Sequence, residues 1–116
     1  MIPKFNKKGN LPHGVHIATI DEVIERYRWR NNSARIRRSD ALLSFYNFVS
    51  SFALDLYING SYITTKLSPG DVDLALVLSN DFKLQSTEGI RLLGILNQPK
   101  SDLHFFHTKV GLILIS

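Results

Sequence analysis

Apolar residues recur along this chain with two different periods, and the change from one to the other marks its elements. Ile20, Val23, Ile24 and Tyr27 follow the spacing of a helix face. Thr19 with Glu22 three positions later has the pattern of a capping box, so a helix is predicted from there to about Trp29. A longer helix is predicted from Asn32 or Ser33 to about Phe52, on which Ile36, Leu42, Leu43, Phe45, Tyr46, Phe48, Val49 and Phe52 make a broad apolar stripe. The period then shortens. Leu54 to Ile58 reads as a strand, Ser61 to Lys66 as one or two helical turns ahead of the breaker "SPG", and Val72 to Leu78 as a second strand. Ser86 or Thr87 caps a third helix with Ile90, Leu93 and Leu96 on one face and Pro99 beyond its end. "DLHFF" and "KVGLILI" read as strands, or as one strand broken near Thr108. Ahead of all of these, residues 3–18 carry two prolines, two glycines and two asparagines, the composition of an extended arm with turns. The order predicts an α/β (α+β) sandwich with a small mixed sheet.

Composition sets the scale. A chain of 116 residues with 44% apolar content holds one core, so residues 1–116 are expected to form a single domain preceded by the arm. Cysteine is absent, which excludes a disulfide framework and a thiolate zinc site. The segment "MIPKFNKKGNLPHG" has no apolar signal core, and "VDLALVL" and "VGLILI" fall far below the ~20 residues of a membrane span. A cytoplasmic protein without a membrane partner is expected. The net charge of +4 is compatible with a polyanionic partner such as a nucleotide or RNA.

The chemistry lies in "YINGSYITTKLSPGDVDLALVL", Tyr57 to Leu78. Asp71 and Asp73, two apart on a strand, project from one face with Cα atoms about 6.6 Å apart. Two carboxylates at that spacing repel unless a cation neutralises them, and magnesium, or manganese in its place, takes such hard oxygen ligands together with substrate phosphates. Gly60 and Ser61 sit where the preceding strand ends. The glycine permits close approach of phosphate oxygens, the serine opens a turn with free N–H groups, and Lys66 is placed to add positive charge. Asp71 and Asp73 are therefore the candidate metal ligands, and Gly60, Ser61 and Lys66 the candidate phosphate contacts.

"INGSYITTKLSPGDVDLAL" resembles the signature of the nucleotidyltransferase superfamily, the fold of DNA polymerase β and of the minimal nucleotidyltransferases of bacterial toxin–antitoxin pairs. That signature is apolar-Gly-Ser, a short spacer, then Asp-apolar-Asp; here nine residues separate Ser61 from Asp71, with apolar residues at 72, 74 and 76. The arm "FNKKGNLPHGVHIATIDEVIERY" is similar to the opening of a group of short bacterial proteins with this fold. The resemblance implies magnesium-dependent transfer of a nucleoside monophosphate from an NTP to a hydroxyl on protein, RNA or a small molecule. It also implies a third carboxylate on a later strand; "KVGLILIS" has none, and Asp102, at the head of "DLHFF", is the candidate third ligand or base. With no second helical domain expected after Ser116, the alternative is a catalytically incomplete member of the fold that binds a protein partner in a toxin–antitoxin or related defence pair.

Two further groups call for an assignment. Arg26, Arg28, Arg30, Arg35, Arg37 and Arg38 crowd thirteen residues and read as a solvated helix face, with RNA, a triphosphate or an acidic protein as the functional alternative. His13, His16, His104 and His107 match no metal-ligand spacing, and structural or surface roles are expected for all four.

Overall fold

The computed structural model describes residues 2–98, 102–105 and 112–115. Strand β1 (Val15–Ala18) leads through Thr19 into α1 (Ile20–Tyr27), and α2 (Ser33–Val49) follows. Strand β2 (Ala53–Asn59), a 3-10 turn (Ser61–Ile63) and β3 (Val72–Leu78) come next, then α3 (Thr87–Leu96), β4 (Leu103–Phe105) and β5 (Leu112–Ile115). The five strands form one mixed sheet in the order β1-β5-β2-β3-β4, antiparallel where β2 meets β3 and β5, parallel in the two outer pairs.

Local chemistry sets the helix starts. Thr19 Oγ1 accepts from the Glu22 backbone N–H while the Glu22 carboxylate accepts from the Thr19 N–H, so the capping box is complete. Asn32 caps α2 by accepting from the Arg35 N–H, and Ser86 caps α3 by accepting from the Gly89 N–H. These are the starts the sequence predicts. α1 and α2 end at Tyr27 and Val49, short of Trp29 and Phe52.

Alternation along the strands separates two faces. Leu56 and Ile58 of β2, Val72 and Leu74 of β3, and Ile113 and Ile115 of β5 are buried in one core with Val23 and Tyr27 of α1, Leu42, Phe45 and Val49 of α2, and Leu92 of α3. On the other face the register sets Tyr57 opposite Ala75 and Asn59 opposite Asp73. Leu54, the extra residue where the β2–β3 register shifts, is exposed.

Three features depart from the sequence pattern. Residues 15–18 are a strand rather than part of an irregular arm: Val15 pairs with Leu112 and Ala18 with Ile115, and no short-range pattern signals a parallel pairing between segments so far apart. Ile90, Leu93 and Leu96 share a face as expected, but it is the outward one, 63%, 40% and 41% exposed. Thr87, Glu88 and Arg91 make one side of α3 polar, but the apolar arc that remains is wide, and the period does not choose which line within it is buried. Gly89 sets that line, because its bare Cα lies against the Leu84 backbone, where a Cβ has no room, and turns Leu92 inward. Finally, α2 buries the line Arg35, Ser39, Leu42, Phe45 and Val49, which begins with two polar residues. Among the described residues no helix is long and apolar enough to cross a membrane.

Candidate metal and phosphate site

Gly60, the residue after β2, has φ +82° and ψ −167°, a region open almost only to glycine. The register that pairs Asn59 with Asp73 brings the Asp73 side chain against this glycine, so that a Cβ at position 60 would strike its carboxylate. The Gly-Ser bend thus lies against the second carboxylate of the Asp-x-Asp sequence.

The pair acquires a third member from β4. Asp73 and His104 are register partners, and Asp73 Oδ1 lies 3.0 Å from His104 Nδ1. Asp71, Asp73 and His104 each offer one ligand atom within 4.8 Å of the others. Burial pushes the Asp73 carboxyl above its ordinary pKa, the neighbouring Asp71 pushes it further, and the hydrogen bond and charge of His104 oppose both. Two carboxylates and an imidazole suit a divalent cation. The oxygens serve magnesium or manganese, and the nitrogen weights the set toward manganese and other transition ions. The residues present therefore fit such an ion. The sequence expectation of a surface or structural role for His104 did not place it beside Asp73, because the two lie thirty-one positions apart and only the parallel β3–β4 register brings them together.

Asp102 is placed elsewhere. Its carboxylate accepts from Arg37 Nε at 3.1 Å and from Arg38, while its backbone carbonyl accepts from the Val72 N–H. It lies outside the Asp71–Asp73–His104 group. Gly60 and Ser61 line an open depression, but Lys66 does not. Lys66 contributes its backbone instead, accepting at its carbonyl from Arg35 Nε and Nη2 at 3.1 and 2.7 Å.

That contact belongs to a clamp on the loop between the two halves of the motif. Arg35 is wholly buried and also donates to the carbonyls of Tyr62 (2.6 Å), Thr64 (2.6 Å) and Tyr27 (3.3 Å). Its guanidinium carbon lies 3.9 Å from the centroid of the Trp29 ring. Burial lowers the Arg35 pKa, and Tyr62 and Tyr27 offset part of that effect. Asn32 Nδ2 donates to the Leu67 carbonyl at 2.5 Å and Arg38 Nε to the Pro69 carbonyl at 3.2 Å. Asn32, the cap of α2, and Arg35 and Arg38 within it, each about one helical turn from the next, thus hold the loop that runs from Ser61 to Asp71. Two more of the run are engaged: Arg28 pairs with Asp40, and Arg26 donates to the Ile2 carbonyl. Arg30 is exposed. Of the histidines, His16 Nε2 lies 2.8 Å from the Pro12 carbonyl, His13 lines the depression beside Gly60, and His107 lies outside the described residues.

No curated protein and no solved structure matches the chain. The model of a family described as "Family of unknown function (DUF6932)" matches residues 3–111, from the arm through β4, and the chain belongs to that family.

Proposed function

We propose that this protein binds a nucleoside triphosphate together with a divalent cation and transfers the nucleotidyl group to a hydroxyl acceptor. One observation carries this: Gly60–Ser61 and Asp71–Asp73–His104 meet across the β2–β3 register, with Gly60 against the Asp73 carboxylate. Asp71, Asp73 and His104 would hold the ion, which when bound neutralises phosphate charge and lowers the pKa of a coordinated hydroxyl. Gly60 lets the Asp73 carboxylate approach the main chain that carries Ser61, and the Arg35 clamp keeps that segment in one conformation before substrate arrives. In the reaction the acceptor oxygen forms a bond to the α-phosphorus, the bond to the β-phosphate oxygen breaks, pyrophosphate leaves, and the hydroxyl proton passes to solvent. The Apolar-Gly-Ser and Asp-apolar-Asp pattern of the nucleotidyltransferases supports the same assignment.

The test is incubation with α-phosphate-labelled NTPs, manganese or magnesium, and protein, RNA and small-molecule acceptors. Label transfer that disappears in Asp71→Asn is the expected result; absence of transfer, or transfer unchanged in that variant, overturns it.

The position of Asp102 favours a second reading. With its carboxylate held by Arg37 and Arg38, two carboxylates remain at the site among the described residues. A protein of this kind would bind metal and nucleotide without turnover and act through a partner in a toxin–antitoxin or defence pair. A stoichiometric partner that co-purifies with wild type and Asp73→Asn alike, with no label transfer, favours this reading over catalysis.

A further inference from the structure

We infer that the N-terminal turn, residues 6–10, is the cationic wall of a polyphosphate-binding cleft, with Lys7 and Lys8 as its anion contacts and Gly60–Ser61 as the facing wall. The inference rests on the nucleotide reading above and adds to it an element that lies outside the Gly-Ser and Asp-x-Asp motif.

The turn is built rather than loose. Asn6 Oδ1 accepts from the N–H groups of Lys8 and Asn10 at 3.0 and 3.1 Å, and the Asn6 main chain accepts from Gly9 N–H and donates to the Asn10 carbonyl. Two anchors fix it to the domain. On one side, Leu11 is buried in the core, Arg26 donates to the Ile2 carbonyl and its guanidinium lies 4.5 Å from the Phe5 ring centroid. On the other, the Thr65 N–H donates to the Gly9 carbonyl at 3.1 Å. Gly9 has φ +79° and its Cα faces Thr65 Oγ1, so only glycine allows the turn to sit this close. The arm is thereby locked to the loop that Arg35 clamps, and the separation between the lysines and Gly60 is set by structure.

Between these walls lies an open depression of about 820 Å³, lined by Lys7, Lys8 and His13 from the arm and by Gly60, Ser61 and Thr64 from the opposite side. Among the described residues no carboxylate lines it and neither lysine is in an ion pair. Two unpaired ammonium groups beside a glycine main chain favour an anion with several negative oxygens. Gly60 touches the Asp73 carboxylate, so the depression adjoins the candidate metal ligands. A polyphosphate chain can lie along the lysines and reach the ion at the Gly60 end. The two basic residues are adjacent in the turn, which suits the repeated charges of a polyphosphate better than a single carboxylate or a neutral sugar.

The experiment measures binding to the full chain of inorganic tripolyphosphate, ATP and adenosine by calorimetry, and of Mn²⁺ alone by electron paramagnetic resonance. Tripolyphosphate and ATP are expected to bind and adenosine to fail. The Lys7→Gln/Lys8→Gln double variant is expected to weaken tripolyphosphate by about tenfold or more, with Lys7→Arg/Lys8→Arg restoring it and Mn²⁺ binding equal in all three. Both lysines are exposed, and circular dichroism checks that the variants fold. Undiminished tripolyphosphate binding in the Gln variant, or none in wild type, overturns the inference. Lysine-dependent tripolyphosphate binding without any Mn²⁺ binding upholds it while removing the metal reading of Asp71, Asp73 and His104.

Discussion

Gly60 packs its bare Cα against the carboxylate of Asp73, and this contact joins the two halves of a motif eleven residues apart in the chain between Gly60 and Asp71. The glycine is required twice, once by φ +82° with ψ −167° and once by the absence of room for a Cβ. Gly60→Ala is therefore expected to destabilise the fold by about 1–3 kcal/mol from backbone strain alone. It should also displace Asp73 and weaken Mn²⁺ binding, whereas Gly70→Ala, where a Cβ meets open space, leaves Mn²⁺ binding intact. Urea titration and Mn²⁺ binding on the two variants check this, and equal behaviour would show that the contact has no role in the site.

Asp73 gives a prediction whose sign follows from its raised pKa. The folded state holds the Asp73 proton more tightly than the unfolded chain, whose carboxyl titrates near 3.8. Its contribution is therefore most favourable below that value and declines as pH rises through the folded pKa. Once ionised, the group lies part-buried beside Asp71 and weakens the metal-free protein. Metal-free Asp73→Asn should accordingly melt higher than wild type at pH 7. Adding Mn²⁺ at about a hundred times its dissociation constant should stabilise wild type by about 2.7 kcal/mol and leave Asp73→Asn almost unmoved. Asp102→Asn, whose side chain is committed to Arg37 and Arg38, should keep the Mn²⁺ response. Thermal melts of the three proteins with and without the ion decide it.

What the sequence disclosed and what it hid divide along one physical line. Helix caps and strand alternation are local, and Thr19, Asn32 and Ser86 cap the helices those patterns assign to them; the Gly-Ser and Asp-x-Asp spacing is local as well, and the β2–β3 register sets Asn59, next to Gly60, opposite Asp73. His104 and β1 depend on parallel pairings, which no nearby residue announces. Arg35 was hidden for another reason: within a run of arginines its charge reads as solvated, and only the carbonyls that converge on it from two separate segments distinguish it from Arg30 or Arg37.

Arg35 is expected to be the costliest of the arginines to replace. It is buried without a carboxylate partner among the described residues, and its charge is met by four main-chain carbonyls and the face of Trp29. A lysine offers a single nitrogen and cannot span carbonyls as far apart in the chain as Tyr27, Tyr62 and Lys66. Arg35→Lys should lose about 2–4 kcal/mol, because carbonyls are left buried and unpaired. Arg37→Lys, on an exposed side chain, should lose under about 1 kcal/mol. Chemical denaturation measures both, and a smaller loss for Arg35→Lys than for Arg37→Lys would contradict the clamp.

Tyr27 and Tyr62 make the last contrast, since their rings pack 5.5 Å apart in the same buried cluster but their hydroxyls differ. Tyr62 Oη lies 2.5 Å from Ser39 Oγ, and Ser39 is itself buried; the Tyr27 hydroxyl is buried with no hydrogen-bond partner among the described residues. Tyr62→Phe should therefore cost about 1–3 kcal/mol by stranding the Ser39 hydroxyl, while Tyr27→Phe should be neutral or stabilising, because it removes a polar group that gains nothing from burial. Alkaline pH adds an independent check. Burial pushes both phenols up to about 12 from an ordinary 10.0, so above pH 10 the unfolded chain releases protons that the folded one retains. Stability is full below pH 10 and falls as pH rises toward 12, by on the order of 2 to 3 kcal/mol for each tyrosine. Each single Phe variant should flatten that decline by about half when stability is followed from pH 9 to 12. A decline of wild-type steepness in the Tyr27→Phe/Tyr62→Phe double variant would mean that other groups drive the alkaline transition.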